Sequence, residues 1–286
     1  MTPTPPLANH LTETIRACNA AGDGAFMPFI VIGDPDLATS HVVVDALVAG
    51  GADVLEFGFP FSDPPADGPV IQAADLRALA AGTTPARCLQ FIAEVRARHD
   101  HPIALLLYYN LVLQHGVDRF FADAAAAGVN AVLVADVPLE EAGPARDAAA
   151  KVAGICNVFI ASELSTDARL AQVAAVAGGF LYAVSRVGIT GEQRDVAAGL
   201  GAQLARFRAA VPLPTLVGFG ISQPSHVAAA MAAGADGVIS GSAVVRRIAD
   251  HGVGTGRDLD TLRDAIHTFT AQMKAATRGA WLPPDI

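Results

Sequence analysis

Lysine is almost absent from this chain of 286 residues: it stands only at positions 151 and 274, and the other basic residues are arginines. A lysine Schiff base needs its amine at the mouth of a strand. Lys151, ahead of the fifth predicted strand, and Lys274, in the final helix, are not placed for that role. Cysteine is scarce as well. Cys18, Cys88 and Cys156 form no Cys-x-x-Cys pair and leave one over from any pairing, which predicts a reducing, cytoplasmic compartment. Positive charge is short, with 19 bases against 28 acids and a net charge of −9, so neither nucleic acid nor an anionic membrane is an expected partner. Apolar runs such as Ala104–Leu107 and Ala131–Val134 stop well short of the roughly 18 residues of a membrane span. The opening Met1-Thr2-Pro3-Thr4-Pro5-Pro6 has neither the basic start nor the apolar stretch of a signal peptide. The histidines are scattered, with His99 and His101 at the entry of a strand rather than its mouth, so no metal site is expected. A Gly-x-Ser-x-Gly nucleophile elbow is missing too.

What the chain has in quantity is apolar material, 52% of its residues, set out as short β-branched or aromatic runs alternating with alanine-rich stretches. The runs predict strands near Phe26–Gly33, Asp53–Phe59, Ile103–Tyr109, Asn130–Asp136, Ile155–Ala161, Gly179–Ser185, Thr215–Gly220 and Gly237–Ser240. Between them the spacing predicts helices such as Ser40–Ala49, Val117–Ala127, Glu140–Val152, Thr166–Ala175, Leu200–Ala210 and Pro224–Ala233. Thr39 or Ser40, Ser165 or Thr166, and Ser222 are the expected caps. A phrase recurs where helix returns to strand: Ala-Gly-Gly-Ala-Asp at 49–53, Ala-Gly-Val-Asn at 127–130 and Ala-Gly-Ala-Asp at 233–236.

Strand–helix units of this kind, with strands apolar on both faces, predict an α/β fold: a parallel sheet closed into a (β/α)8 TIM barrel. One domain is expected over 1–286, with an extra N-terminal helix behind a flexible lead at 1–7. An open doubly wound sheet would offer fewer units and a Gly-x-Gly-x-x-Gly after its first strand, which is missing. The units from strand start 53 to 103 and from 179 to 215 are longer than the rest. They predict extended loops after strands 2 and 6, at the end of the barrel where such folds carry their chemistry.

Three glycine-bearing turns fall at adjacent barrel positions: Thr190-Gly191 after the sixth strand, Gly218-Phe219-Gly220 ending the seventh, and Gly241-Ser242 opening a helix after the eighth. Close backbone approach and a helix N-terminus make this corner a candidate phosphate site built from amides, since no lysine lies in it. Glu56 lies inside the second strand, in Val54-Leu55-Glu56-Phe57-Gly58. Burial there would raise its pKa toward the range of a general acid–base, unless it pairs with an arginine or a backbone donor. Asp63 and Asp67 lie in Phe61-Ser62-Asp63-Pro64-Pro65-Ala66-Asp67-Gly68-Pro69, where Asp-Pro and Asp-Gly read first as turn formers. Asp34 and Asp136, ending strands 1 and 4, carry the same ambiguity. These residues point to metal-free, lysine-free acid–base chemistry on a phosphorylated substrate.

At this point the chain resembles the α-subunit family of tryptophan synthase. The carrying segments are Pro28-Phe29 with Gly33-Asp34-Pro35, then Leu55-Glu56-Phe57-Gly58-Phe59-Pro60-Phe61-Ser62-Asp63-Pro64 and Ala66-Asp67-Gly68-Pro69-Val70-Ile71-Gln72. Tyr108-Tyr109-Asn110, Val134-Ala135-Asp136-Val137-Pro138, Val184-Ser185-Arg186-Val187-Gly188-Ile189-Thr190-Gly191, Gly218-Phe219-Gly220-Ile221-Ser222 and Ser240-Gly241-Ser242-Ala243 follow in order. The resemblance runs from about Phe26 to the final helix, and the strand-2 segment is its most specific part.

The resemblance implies a lyase of tryptophan biosynthesis that cleaves indole-3-glycerol phosphate to indole and glyceraldehyde 3-phosphate by a retro-aldol step. It implies that Glu56 is the acid–base carboxyl and that Asp67 hydrogen-bonds the indole N–H, against the turn-former reading. Tyr182 would line the same pocket, and Phe29, Leu106, Leu133, Phe219 and Ile239 would form its apolar walls. Phosphate would rest on Gly191, Gly220, Gly241 and Ser242. The segment from Val187 to about Ala198 would close over the substrate, held by Thr190 and Arg186. No cofactor is implied for this chain; pyridoxal phosphate belongs to the implied partner, a beta subunit in an alpha2beta2 complex. Three positions depart from the family's habit: Val31 for a common Thr, Pro65 for the usual Leu, and Ser162-Glu163 for prolines. Alternatives are a stand-alone lyase releasing free indole, an inactive barrel kept as a binding subunit, and another phosphate-binding barrel such as a prenyltransferase or epimerase. An inactive barrel would be expected to lose Glu56 or Asp67, and the last class would lack the Glu56–Asp67 loop.

Overall fold

The computed structural model of the chain describes residues 9–184, 193–254 and 257–278, so the expected lead at 1–7 lies outside it. Among these residues are the strands β1 (Ala25–Val31), β2 (Leu55–Gly58), β3 (Ile103–Leu107), β4 (Ala131–Val134), β5 (Cys156–Asn157), β6 (Phe159–Ser162), β7 (Leu181–Val184), β8 (Thr215–Gly218) and β9 (Gly237–Ser240). All pairings are parallel, in the order β5-β4-β3-β2-β1-β9-β8-β7-β6. With helices between the strands, this is the expected TIM barrel. One expectation is corrected. The predicted fifth strand, Ile155–Ala161, is two strands that share one barrel position. Residues 156–157 register with β4, Val158 N–H still donates to Val132 O at 2.9 Å, and Phe159–Ser162 then register with β7. The ladder changes partner at Val158, so no single run keeps both neighbours.

Side chains alternate between two environments along each strand, as the pleat requires. Phe26, Ile30, Leu55, Phe57, Leu105, Val132, Leu181, Ala183, Val217 and Val238 point outward into the core between barrel and helices. Ala25, Met27, Ala104, Ala131, Leu133, Tyr182, Leu216 and Ile239 point inward and pack the lumen. Glu56, one step from Leu55 and Phe57, therefore faces inward.

The recurring helix-to-strand phrase has a structural cause. Its last residue in each copy mimics a ladder partner for the preceding strand. Phe26 N–H donates to Asp53 Oδ2 (2.7 Å) while Asp53 N–H donates to Phe26 O (3.0 Å). Ile103 and Asn130 make the same exchange (2.9 and 2.8 Å), as do Thr215 and Asp236 (2.7 and 2.9 Å). Lys274 Nζ also binds Asp53 Oδ2 at 2.9 Å, which gives one of the two lysines a structural post.

The extra N-terminal helix is present at His10–Ala20 and closes this end of the barrel. Leu11 and Ile15 enter the lumen cluster beside Met27, Val54, Phe180 and Leu216. Polar side chains dock the helix on the rim: Asn9 Nδ2 donates to Asn130 O (2.8 Å), Thr12 Oγ1 to Gly179 O (2.8 Å) and Asn19 Nδ2 to Asp236 O (2.8 Å).

The long unit after β2 contains a loop at 59–68 and two helices, Pro69–Ala80 and Pro85–Arg98, so much of its length is helix rather than loop. The helix after β1 begins earlier than expected, at Leu37, because Asp36 caps it by accepting from Thr39 N–H at 2.8 Å. Thr166 caps its helix as predicted, whereas Gln223 rather than Ser222 precedes the helix Pro224–Ala232. Val31 packs in an apolar cluster with Phe29, Ile71, Ala74, Ala78 and Val245, an environment with no need of a threonine hydroxyl.

Because Ile15 is fully buried at the plug, Ile15→Ala is expected to lower stability by about 2–5 kcal/mol. Urea denaturation of the two forms checks this, and a loss below about 0.5 kcal/mol would mean that the helix rests on the rim without sealing it.

Candidate active site

A cavity of about 260 Å³ opens at the C-terminal ends of the strands. Phe29, Glu56, Leu106, Tyr182 and Ile239 line it from the lumen, and Asp67, Tyr108, Phe219, Gly220, Gly241 and Ser242 from the loops above. These are sequence-predicted residues except Tyr108, which stood only in a motif. Leu133 is not among the lining residues. It is buried in the lumen cluster and borders a neighbouring cavity with Val158 and Ile160. Arg186, Thr190 and Gly191 lie outside the described residues. Ile71, Ala135, Ile160, Ile221 and Ser222 also line the cavity and were not singled out as site residues.

Two strand-end glycines make room for the aromatic walls. A Cβ on Gly58 would stand 2.6 Å from the Phe29 ring, and one on Gly218 would collide with the Tyr182 ring. Gly218 thus serves ring packing, where the sequence suggested only the phosphate corner.

Glu56 is 1% exposed, registers beside Phe29 and Ala104, and faces the cavity. Burial pushes its pKa up to about 8. No arginine or backbone donor among the described residues pairs with it, which answers the alternative raised by the sequence. Desolvation penalises only the ionised form, so the carboxyl holds its proton at neutral pH. Asp67 hangs from the loop at 59–68, where Tyr108 Oη–H donates to its Oδ2 at 2.7 Å. Burial raises the Asp67 pKa, and the tyrosine hydrogen bond opposes that rise. Tyr108 also accepts from Ala66 N–H (3.2 Å), and Gln72 Nε2 donates to Asp67 O (2.7 Å), so the loop is tied on both sides of the carboxyl. A third carboxyl, Asp75, is buried in the helix behind, and burial with Asp67 and Asp34 nearby pushes it to about 7.

Two of the other acidic candidates have structural posts. Asp34 is gripped by Arg77 through two bonds of 2.6 and 2.9 Å, and Asp136 caps the helix Tyr109–His115 by accepting from Tyr109 N–H at 2.8 Å.

At the glycine corner, Gly241 and Ser242 begin the helix Ser242–Gly252, whose first amides have no partner within the helix. Across from them, Phe219 and Gly220 are consecutive left-handed residues, with φ of 80° and 77°. Such a turn presents amides to an anion, and among the described residues none accepts from Gly220 or Ile221 N–H. The Phe219 ring is 63% exposed, so it forms a rim rather than a wall. No group of three His, Cys, Asp or Glu side chains arranged for a metal occurs among the described residues, and no helix among them is long and apolar enough to cross a membrane.

A family model described as tryptophan synthase alpha chain matches residues 15–278. The tryptophan synthase alpha chain of Shewanella baltica (strain OS155) is 49% identical over 265 residues, covering 92% of this chain and 95% of its own. That of Shewanella oneidensis is 47% identical over 274 residues, with coverage of 96% and 97%. The crystal structure of tryptophan synthase subunit alpha from Legionella pneumophila superposes with a TM-score of 0.85 at 32% identity, covering 94% of this chain and 98% of that one.

The environment of Glu56 sets a pH dependence of stability. From pH 4.5, its ordinary value, to about 8 the folded chain keeps a proton that the unfolded chain has released. Its contribution is therefore full below pH 4.5 and is lost as pH rises toward 8. Glu56→Gln is expected to be more stable than the unsubstituted chain at high pH, with the gap closing as pH falls. Urea denaturation across that window checks it, and a gap that does not change with pH would contradict the burial argument.

Proposed function

The chain belongs to the tryptophan synthase alpha chain family, whose reaction is the lyase cleavage of indole-3-glycerol phosphate, and we propose that Glu56 and Asp67 carry that reaction here. The observation that carries this reading is the buried Glu56, without a partner among the described residues and with its pKa pushed up to about 8, facing the same cavity as Asp67.

The indole lies against Phe29, Leu106, Tyr182 and Ile239, with its N–H toward Asp67. Glu56 gives its proton to indole C3, and the ring takes positive charge that Asp67 stabilises through the N–H. The Glu56 carboxylate then takes the proton of the side-chain hydroxyl next to C3. The C–C bond breaks, its electron pair returns to the ring, and indole and glyceraldehyde 3-phosphate result. Glu56 ends protonated as it began, so the step balances without a metal or a lysine. A carboxyl with a pKa near 8 suits both halves of this exchange, since it is an acid at rest and a competent base once ionised. Two carboxyls in unlike surroundings divide the work, a pattern in which environment assigns roles.

The phosphate rests on the amides of Gly220, Gly241 and Ser242. Gly191 at the phosphate, and Thr190 and Arg186 in closure, are assigned on family resemblance alone. The alpha chain is a subunit of tryptophan synthase, which implies a beta partner. Our reading extends this to an alpha2beta2 complex in which pyridoxal phosphate belongs to the beta subunit, acting in the cytoplasm, with residues 1–286 as one barrel domain.

Indole release from indole-3-glycerol phosphate, measured with and without a tryptophan synthase beta subunit, tests the proposal. Glu56→Gln is expected to lower turnover by about 10²–10⁴-fold with the fold and phosphate binding kept, and Asp67→Asn to fall almost as far. Full activity in either variant overturns the roles. A slow rate that rises strongly with the partner supports the subunit reading, whereas a fast rate indifferent to it favours a stand-alone lyase.

A further inference from the structure

Beneath the glycine corner lies His226, a buried side chain that the mechanism above does not use. It stands in the first turn of the helix Pro224–Ala232 and is 9% exposed. Its Nδ1 lies 2.8 Å from Gly220 O and its Nε2 lies 2.7 Å from Gln223 Nε2. A carbonyl can only accept, so Nδ1 carries the hydrogen, and Nε2 faces the Gln223 side-chain amide. The Ser222 amide and hydroxyl, each 3.3 Å from Nδ1, are secondary contacts, because a nitrogen donating to Gly220 cannot also accept from them.

Gly220 O is one of two consecutive carbonyls held from outside the turn. The next, Ile221 O, accepts from the buried Ser240 Oγ at 2.7 Å. The turn needs such ties. Phe219 is a left-handed residue with a side chain, and conformations of that kind are strained and persist only where the surroundings enforce them. The peptide between Gly220 and Ile221 is trans, so its C=O and N–H point in opposite directions. With the carbonyl fastened to His226, the Ile221 N–H points away from His226.

We infer that His226 is a positioning residue for phosphate recognition: by donating from Nδ1 to the Gly220 carbonyl, it holds the left-handed Phe219–Gly220 turn in the form that offers the Gly220 and Ile221 amides to a phosphomonoester. The inference rests on the reading of this cavity as the substrate site. The class of ligand is a phosphomonoester dianion, which amides can hold without a cationic side chain. His226 does not touch the substrate and acts through the backbone it fastens.

The test uses glycerol 3-phosphate binding by calorimetry on the full chain, together with KM and kcat for indole-3-glycerol phosphate in the presence of the beta subunit. His226→Phe keeps a ring but removes the donor, His226→Ala removes both, and His226→Asn returns an N–H at the position of Nδ1, two bonds from Cβ. Either donor-free variant is expected to weaken glycerol 3-phosphate binding and raise KM by about 10-fold, the scale of one hydrogen bond, with kcat within about threefold. His226→Asn is expected to recover most of the loss. Two donor-free variants and a thermal melt guard against a failure to fold. Unchanged binding in a folded donor-free variant overturns the inference, as does a loss in His226→Asn equal to that in His226→Phe. If the unsubstituted chain does not bind glycerol 3-phosphate, the substrate reading falls and this inference with it. If the unsubstituted chain binds and the variants bind equally, only the inference falls.

Discussion

Register along the barrel is the constraint on which the other features depend. Parallel strands show their two faces to different cores, and a slip of one residue exchanges them. In β2 such a slip would turn Glu56 out among the helices and bring Leu55 or Phe57 into the lumen. The exchanges at Asp53, Asn130 and Asp236 oppose it, because each pins the start of a strand to a side chain that fits one register only. The N-terminal helix is fastened to the same rim through Asn9 and Asn19. These register-setting ties gather at one end of the barrel, and the cavity with its polar groups opens at the other.

Glu56 shows the cost of that arrangement. A carboxyl in an apolar lumen with no partner among the described residues is unfavourable as an ion, and it survives by remaining protonated. Ala104 beside it and the Phe29 and Tyr182 rings around the cavity maintain the low polarity that raises its pKa. Asp67 differs because it comes from a loop and has the Tyr108 hydroxyl to share its charge. One carboxyl is governed by desolvation and the other by a hydrogen bond that partly offsets it.

Much of the barrel was legible because its signals are local. Alternating apolar runs, turn glycines and the repeated Ala-Gly phrase each mark an element within a few residues of themselves. The split at Val158 was not legible, because it depends on which neighbours the strand can reach and not on its own composition. The same limit explains Gly218, whose lack of a side chain serves the Tyr182 ring across the pairing from β7 to β8. The resemblance implied Leu133 as a wall residue, and it is buried in the lumen cluster outside the cavity lining, a displacement that a likeness in sequence does not reveal. Tyr108 acts through hydrogen bonds to Ala66 and Asp67, far from it in sequence, and nothing near it announces those contacts; the His226 contacts are local, to Gly220 and Gln223, but depend on how the turn folds. Glu56 was legible for the opposite reason: a charge inside an apolar strand is conspicuous without any neighbour.

The scarcity of lysine gains a physical meaning on the proposed reading. A phosphomonoester must enter the mouth of a chain with a net charge of −9 and find no ammonium group among the described lining residues. Two features make this tolerable. Glu56 is neutral at rest, so the cavity floor adds no charge to oppose the dianion, and the amides at Gly220, Ile221, Gly241 and Ser242 are directional dipoles fixed in place. Fixed dipoles need no side-chain entropy to be lost on binding, unlike a mobile ammonium group. Their drawback is that they are only as well aimed as the backbone bearing them. Hydrogen bonds to the carbonyls of Gly220 and Ile221 are therefore worth more here than their individual strength, since they aim the groups that would otherwise be replaced by a single lysine.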